Sequence, residues 1–160
     1  MSAFGSEARI VREIIEENRY LVLATADAAG RPWSSPVYFA HRDFTEFFWI
    51  SRPDTQHSRN IEVRPEVGIS VFDSQVAIGA GQGVYMSGTA AQVEDDATAP
   101  GMGVFSQRSV GHGGHVWTSE DVRGDSGMRL YRAVVDSHWV LAKDGQPDYR
   151  VPASLTHGGR

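Results

Sequence analysis

Two apolar rhythms run along this chain, and they separate helix from strand. Ile10, Val11, Ile14 and Ile15 fall at helical spacing among Glu7, Arg9, Arg12, Glu13, Glu16 and Glu17. That pattern predicts one amphipathic helix over residues 7–18, with Ser6 as its N-cap. Residues 20–26, YLVLATA, form a continuous apolar run of strand length, and Gly30 in the following DAAGR supplies a turn. Residues 33–41 alternate as a second strand: Trp33, Ser35, Val37 and Phe39 against Ser34, Pro36, Tyr38 and Ala40. Pro36 has no N–H for a ladder, so it belongs at an edge, at a bulge or facing a ligand. A hairpin loop leads to a third strand at 47–51. A fourth spans 66–72 and a fifth 83–93, where Gly88 marks a bulge or a close backbone approach. Residues 130–142 make a final long strand or strand pair, and 150–152 a short edge.

The third strand feeds a different pattern. After Trp49, Ile50 and Ser51 comes a turn with Pro53 and Asp54, then a short polar helix carrying Thr55, Gln56, His57, Ser58, Arg59 and Asn60. It stops before Pro65. A strand that delivers a helix start presents free N–H groups and a positive dipole end, which favour an anion. The alternative is an ordinary surface helix between strands. Residues 94–127 read as helix and loop, because Gly101, Gly103, Gly111, Gly113 and Gly114 interrupt any longer helix, and 118–122 form a capped turn. Short connections imply a mainly antiparallel sheet. The expectation is a mainly β, α+β single domain over 1–160, with six or seven strands in a closed or partly closed barrel. Two or three helices flank it, and the tails 1–6 and 153–160 are loose.

Composition narrows the function. At 160 residues, with 41% hydrophobic and 22% charged residues, the chain suits one soluble domain. No apolar run approaches the ~20 residues that span a membrane, and no basic-then-apolar leader opens the chain. The absence of cysteine excludes thiol catalysis, disulfides and cysteine metal sites, in keeping with a cytoplasmic protein. A net charge of -5 argues against broad nucleic-acid binding. Lys143 is the only lysine, so an anion site must use arginine, histidine or backbone groups.

Catalytic motifs are scarce. There is no GxSxG, and no hydrolase arrangement stands out. His112 and His115, in Gly111-His112-Gly113-Gly114-His115, have no nearby carboxylate to complete a metal set and read as loop histidines. Gly79-Ala80-Gly81-Gln82-Gly83 precedes a strand, so it is a turn and not a dinucleotide fingerprint. The aromatic stripe Tyr38, Phe39, Phe44, Phe47, Phe48 and Trp49 reads as core and dimer interface before cofactor box.

Taken in order, several segments resemble the pyridoxamine 5'-phosphate oxidase-like family, the flavin-binding split β-barrels. They are residues 20–27, Gly30-Arg31-Pro32, Ser35-Pro36-Val37-Tyr38-Phe39, Phe48-Trp49-Ile50-Ser51, His57-Ser58-Arg59-Asn60-Ile61, Pro65-Glu66-Val67 and residues 84–90. The resemblance covers about residues 7–95 and returns at 130–141. It implies a homodimer with cofactor sites at the interface, holding FMN or, in some branches, FAD, a deazaflavin coenzyme or haem. It puts the phosphate near Ser35 and Thr55-Gln56-His57 with Arg59 nearby. Trp33, Ser34, Ser35, Pro36 and Val37 would lie along the ring and ribityl chain, with Trp49, Ile50 and Ser51 behind. Gln82 and Trp139 would reach over from the facing subunit. The oxidase proper resembles a pattern with Arg at Ser35, Lys at Ala40 and Ser-Arg-Lys at Thr55-Gln56-His57, and its C-terminal substrate motif is absent. Vitamin B6 oxidation is therefore not the expected reaction. The expectation is a flavin- or deazaflavin-dependent oxidoreductase acting on a small substrate. The alternative is a non-catalytic flavin or haem binder.

Overall fold

The computed structural model describes residues 5–155. Helix α1 spans Ser6–Glu17, and strands β1 to β4 span Tyr20–Ala26, Pro32–Tyr38, Ala40–Arg42 and Glu46–Ser51. Helix α2 (Gln56–Val63) leads to β5 (Glu66–Phe72) and β6 (Gly83–Gln92). Helix α3 (Thr98–Gly111) follows a short 3-10 turn, and β7 (Arg129–Leu141) and β8 (Arg150–Pro152) close the chain. Every strand pairing is antiparallel. The sheet runs β2-β1-β5-β6-β7-β4-β3, with β8 beside the far end of β7.

That order explains the barrel. The two ends of the sheet, β2 and β3, are separated in sequence by the single residue Phe39. A flat sheet would hold its end strands far apart at ~4.8 Å per strand, so the chain itself forces the sheet to curl. The sequence pattern predicts one strand over 33–41, and the structure corrects this to two. Alternation survives the break, so nothing in the pattern marks it. Phe39 is fully buried, and its N–H bonds Arg19 O at 3.3 Å, one step beyond the β1–β2 pair Tyr20–Tyr38. Pro36 lies on β2, an end strand, opposite Val22, where a missing donor costs no ladder bond.

Alternation on β4 splits the core in two. Phe47 and Trp49 join Leu21, Leu23, Phe39, Ile69, Val71 and Val84 inside the barrel, and Val11 and Ile15 of α1 pack on the same cluster. Phe48 points the other way, with Ala40, Leu130, Met102, Phe105 and Val122, under α3. Each fully buried large side chain is worth about 1.5–3 kcal/mol, so the aromatic stripe holds two layers together, as its core reading requires.

Three other local readings change. The N-cap of α1 is Gly5, and Ser6 is already helical. Gly101 and Gly103 lie inside α3 without breaking it, because α3 is held by Met102 and Phe105 against the sheet. Ala153 is buried and Arg12 donates to Leu155 O at 3.3 Å, so the chain from 153 to 155 packs on the body and is not loose. Residues 1–4 and 156–160 lie outside the described residues. Gly88 is the close approach its position suggests: a Cβ there would stand 2.3 Å from Val134 O, beside a register shift between Ser87 and Gly88. Among the described residues no helix is long and apolar enough to cross a membrane.

Candidate functional site

A groove of about 570 Å³ opens where the end of β2, the end of β4, the start of α2 and the far end of α3 meet. Pro36, Val37 and Tyr38 come from β2, Ile50 and Ser51 from β4, and His57 from α2. Phe105 and His112 of the α3 end, with His115 and Trp117 beyond it, form the opposite wall. Small-molecule sites are concave and mostly apolar with a few placed polar groups, and this groove has that character.

One polar end is built on His57. Thr55 caps α2, accepting Ser58 N–H, and so starts a helix in the space of one turn after β4. That turn brings His57 Nε2 to 2.8 Å from Ser51 Oγ and His57 Nδ1 to 3.2 Å from Ser35 Oγ. Burial pushes the imidazole pKa down, so His57 is neutral at physiological pH. The rest of the expected phosphate grip is also committed. The Thr55 hydroxyl is held by Ser58 and by Arg52 O, and Gln56 Nε2 donates to Asn60 Oδ1 at 2.8 Å. Arg59 is exposed on α2 and does not line the groove.

The other polar end is built on α3. Arg108 donates to Ile15 O at 3.0 Å and Asn18 O at 2.9 Å, and its guanidinium lies 4.8 Å over the Phe39 ring. A cation on the last carbonyls of α1 is favoured by the helix dipole, and it pins α3 to the body. One turn on, His112 N closes onto Arg108 O, and His112 Nδ1 lies 2.8 Å from Tyr38 Oη. Burial first, and then Arg108 and Arg19, lower the His112 pKa, while burial raises that of Tyr38. Both groups are therefore uncharged near neutral pH. With the Nδ1 proton donated to Tyr38 Oη, His112 Nε2 carries a lone pair and has no hydrogen-bond partner among the described residues.

The structure thus gathers Pro36, Val37, Ile50, Ser51 and His57 on one groove, with Ser35 bonded to His57 behind it. It separates the other expected residues. Trp33 and Gln56 face a smaller cavity with Asp27, Arg31 and Asn60. Ser34 is exposed on β2. Trp49 is fully buried, stacked on Tyr131 at 5.9 Å, with its indole N–H unpartnered among the described residues. Gln82 lies on a second cavity of about 580 Å³ and spends its amide on Leu141 N, Leu141 O and Gly83 N. Trp139, on β7, sits opposite Tyr85 of β6 and outside this groove; it and Gln82 are the two residues expected at the facing subunit's site. Phe105, His112, His115 and Trp117 were not expected there. The only sequence signal was a histidine pair just past a helix-length segment.

Comparison with known proteins gives three kinds of relative. The sequence profile described as pyridoxamine 5'-phosphate oxidase matches residues 9–137. The heme oxygenase HutZ of Vibrio cholerae is 37% identical over 65 residues, spanning 41% of this chain and only 36% of that protein. The crystal structure of HutZ, there described as a heme storage protein, superposes with a TM-score of 0.64 at 23% identity, covering 80% of this chain and 89% of that one. A heme binding protein from Mycobacterium smegmatis gives 0.70 at 19% identity, covering 95% and 58%. An F420 reductase gives 0.58 at 19% identity, covering 79% and 94%. At these identities the structural likenesses show the fold alone.

Proposed function

The chain belongs to the pyridoxamine 5'-phosphate oxidase family, and from that premise we propose that its groove binds a planar tetrapyrrole, haem, with His112 as the iron ligand. The observation that carries this reading is His112 itself. It is a neutral imidazole at the groove wall, with one nitrogen fixed by Tyr38 and the other without a hydrogen-bond partner among the described residues. A ligating histidine characteristically has its second nitrogen held in this way, which fixes tautomer and ring orientation. Tyr38, Phe105 and Trp117 offer aromatic faces beside it, and Arg19 offers a cation at the rim for a carboxylate. A bound haem would supply redox or ligand-binding iron chemistry. This chain's residues would hold it, exclude water and set the imidazole's basicity. The 37% identical stretch of HutZ, described as a heme oxygenase, agrees with the reading.

The FMN-dependent oxidoreductase reading is second. It is favoured by Pro36, Val37, Ile50 and Ser51, four residues assigned to a flavin by resemblance, which line the same groove. Its phosphate end does not fit: Ser35, Thr55, Gln56 and His57 are uncharged and already hydrogen-bonded within the protein, and the cation expected beside them, Arg59, does not line the groove. A charge-assisted hydrogen bond is worth about 1.5–3 kcal/mol against ~1 for a neutral one, so a phosphate gains little here. FAD is disfavoured on the same ground, because its pyrophosphate also needs cations. A deazaflavin coenzyme keeps the ring fit but brings a phosphate too.

We propose further that the chain works as a homodimer in the cytoplasm. Phe72 and the loop residues Val76 and Ile78 are exposed beside Gln82, and a second copy would bury them. Parallel titrations of the purified, cofactor-free protein with hemin, FMN and a deazaflavin coenzyme test the reading. Saturable binding of hemin at one equivalent per chain, tighter than FMN, is the expected result. Saturable FMN binding tighter than hemin would overturn it.

A further inference from the structure

We propose that Ser51 is an activated serine nucleophile, with His57 as its general base and Ser35 as the group that orients the base, and that the groove accepts small neutral aryl or acyl esters. The three side chains form one hydrogen-bonded line drawn from three elements: β4, α2 and β2. Ser51 Oγ lies 2.8 Å from His57 Nε2, within the reach a serine–histidine pair requires. His57 Nδ1 lies 3.2 Å from Ser35 Oγ. In the tautomer that carries the proton on Nδ1, His57 donates to Ser35 Oγ and the Nε2 lone pair accepts the Ser51 proton. Nucleophile, base and orienter are thus in the order the chemistry needs, although the sequence shows no hydrolase motif.

Three surroundings support the assignment. Ser51 and His57 both line the groove, so a substrate in it meets the nucleophile directly. The adjoining surface is apolar, with Pro36, Val37, Ile50 and Phe105, and lends itself to an uncharged aryl or acyl group. The His57 N–H lies in the first turn of α2 and stands outside the helix's own hydrogen bonds. It sits at the positive end of the helix dipole, on a residue that lines the groove, and would stabilise a developing oxyanion there.

The step balances without a cofactor. Ser51 Oγ bonds to the ester carbonyl carbon as its proton passes to His57 Nε2. The carbon–oxygen bond to the alcohol breaks, and the alcohol leaves with that proton. Water then attacks the acyl-serine, gives a proton to His57, and releases the acid as the proton returns to Ser51. The inference needs only this chain's atoms, so it stands or falls separately from the haem reading.

The test uses the purified, cofactor-free protein and a fluorophosphonate probe, with the adduct mapped by mass spectrometry. Labelling of Ser51 is expected, abolished in Ser51→Ala, and slowed about 100-fold or more in His57→Gln, the range of general-base contributions. His57 is buried, so its replacement also perturbs packing, and Ser35→Ala, at a half-buried edge position, gives a second reading: slower labelling with an unchanged thermal melt. Hydrolysis of p-nitrophenyl acetate should follow the same order. No adduct on the wild-type protein, an adduct on another residue, or equal rates in wild type, His57→Gln and Ser35→Ala would overturn the proposal.

Discussion

Two glycines two positions apart on α3 should respond oppositely to alanine. A Cβ on Gly103 meets nothing within 4 Å. Alanine there removes unfolded-state freedom and adds helix propensity, a gain of about 0.5–1 kcal/mol. A Cβ on Gly101 would stand 2.8 Å from Phe48 Cε1, 2.9 Å from Cδ1 and 3.0 Å from Leu130 Cδ2. Neither neighbour can give way easily. Both are buried on central strands and packed with Ala40, Met102, Phe105 and Val122. Overpacking costs about 1–3 kcal/mol, and with two contacts under 3.0 Å about 2–3 of that applies here, of which the propensity gain offsets ~1. Gly101→Ala should therefore lose about 1–2 kcal/mol and Gly103→Ala should gain about 0.5–1. For a domain of this size 1 kcal/mol moves the melting temperature by ~2–4 °C, so the two melts should separate by roughly 3–12 °C on either side of wild type. Calorimetry on the cofactor-free protein measures this. Equal stabilisation by both alanines would refute the packing of α3 on β4, and with it the position of the groove's far wall.

Tyr38→Phe removes the hydroxyl that holds His112 Nδ1, and hemin affinity should fall about 10- to 100-fold with little change in the apo melt; titration of the two proteins side by side checks it. Arg108→Ala removes its bonds to Ile15 O and Asn18 O and its stack on Phe39, and should cost about 2–3 kcal/mol in urea unfolding. Acidification should destabilise the protein through its buried histidines. Burial lowers the pKa of His41, His57 and His138 in the folded chain, so the unfolded chain, near the ordinary value of about 6.5, binds protons first. Their stabilising contribution is complete above that value and is lost as pH falls from it through the folded-state values. Melting temperatures taken from pH 7.5 to 5 should decline, and His138→Gln should flatten the decline.

Most of the sheet was legible in the sequence because alternation is a local property. The fourth strand was placed at Glu66–Phe72, as observed, and Gly30 does adopt a positive φ of 82°. The Thr118 capping box is also present. What the sequence hid came from tertiary contact. The break at Phe39 preserves alternation on both sides, so barrel closure left no trace in the pattern. The glycines of α3 looked like breaks, yet Gly101 is small because Phe48 lies against it. The site was half legible. Ile50, Ser51 and His57 can be named because they flank a strand-to-helix turn, and Pro36 and Val37 because the family resemblance puts them along the cofactor strand. The opposite wall could not, because Tyr38 and His112 are 74 positions apart and only folding joins them. The expected phosphate grip changed meaning for the same reason: His57 faces two serines, a partnership that sequence spacing does not display.

The central claim is that His112 makes this groove a haem site, and the visible spectrum of the hemin-loaded protein tests it most directly. Wild type should show a saturable Soret band of a histidine-ligated haem at one equivalent per chain. His112→Ala should lose or shift that band while its apo melt stays within a few degrees of wild type, since His112 is a half-exposed helix C-cap. The same spectrum and affinity in His112→Ala as in wild type would contradict the account.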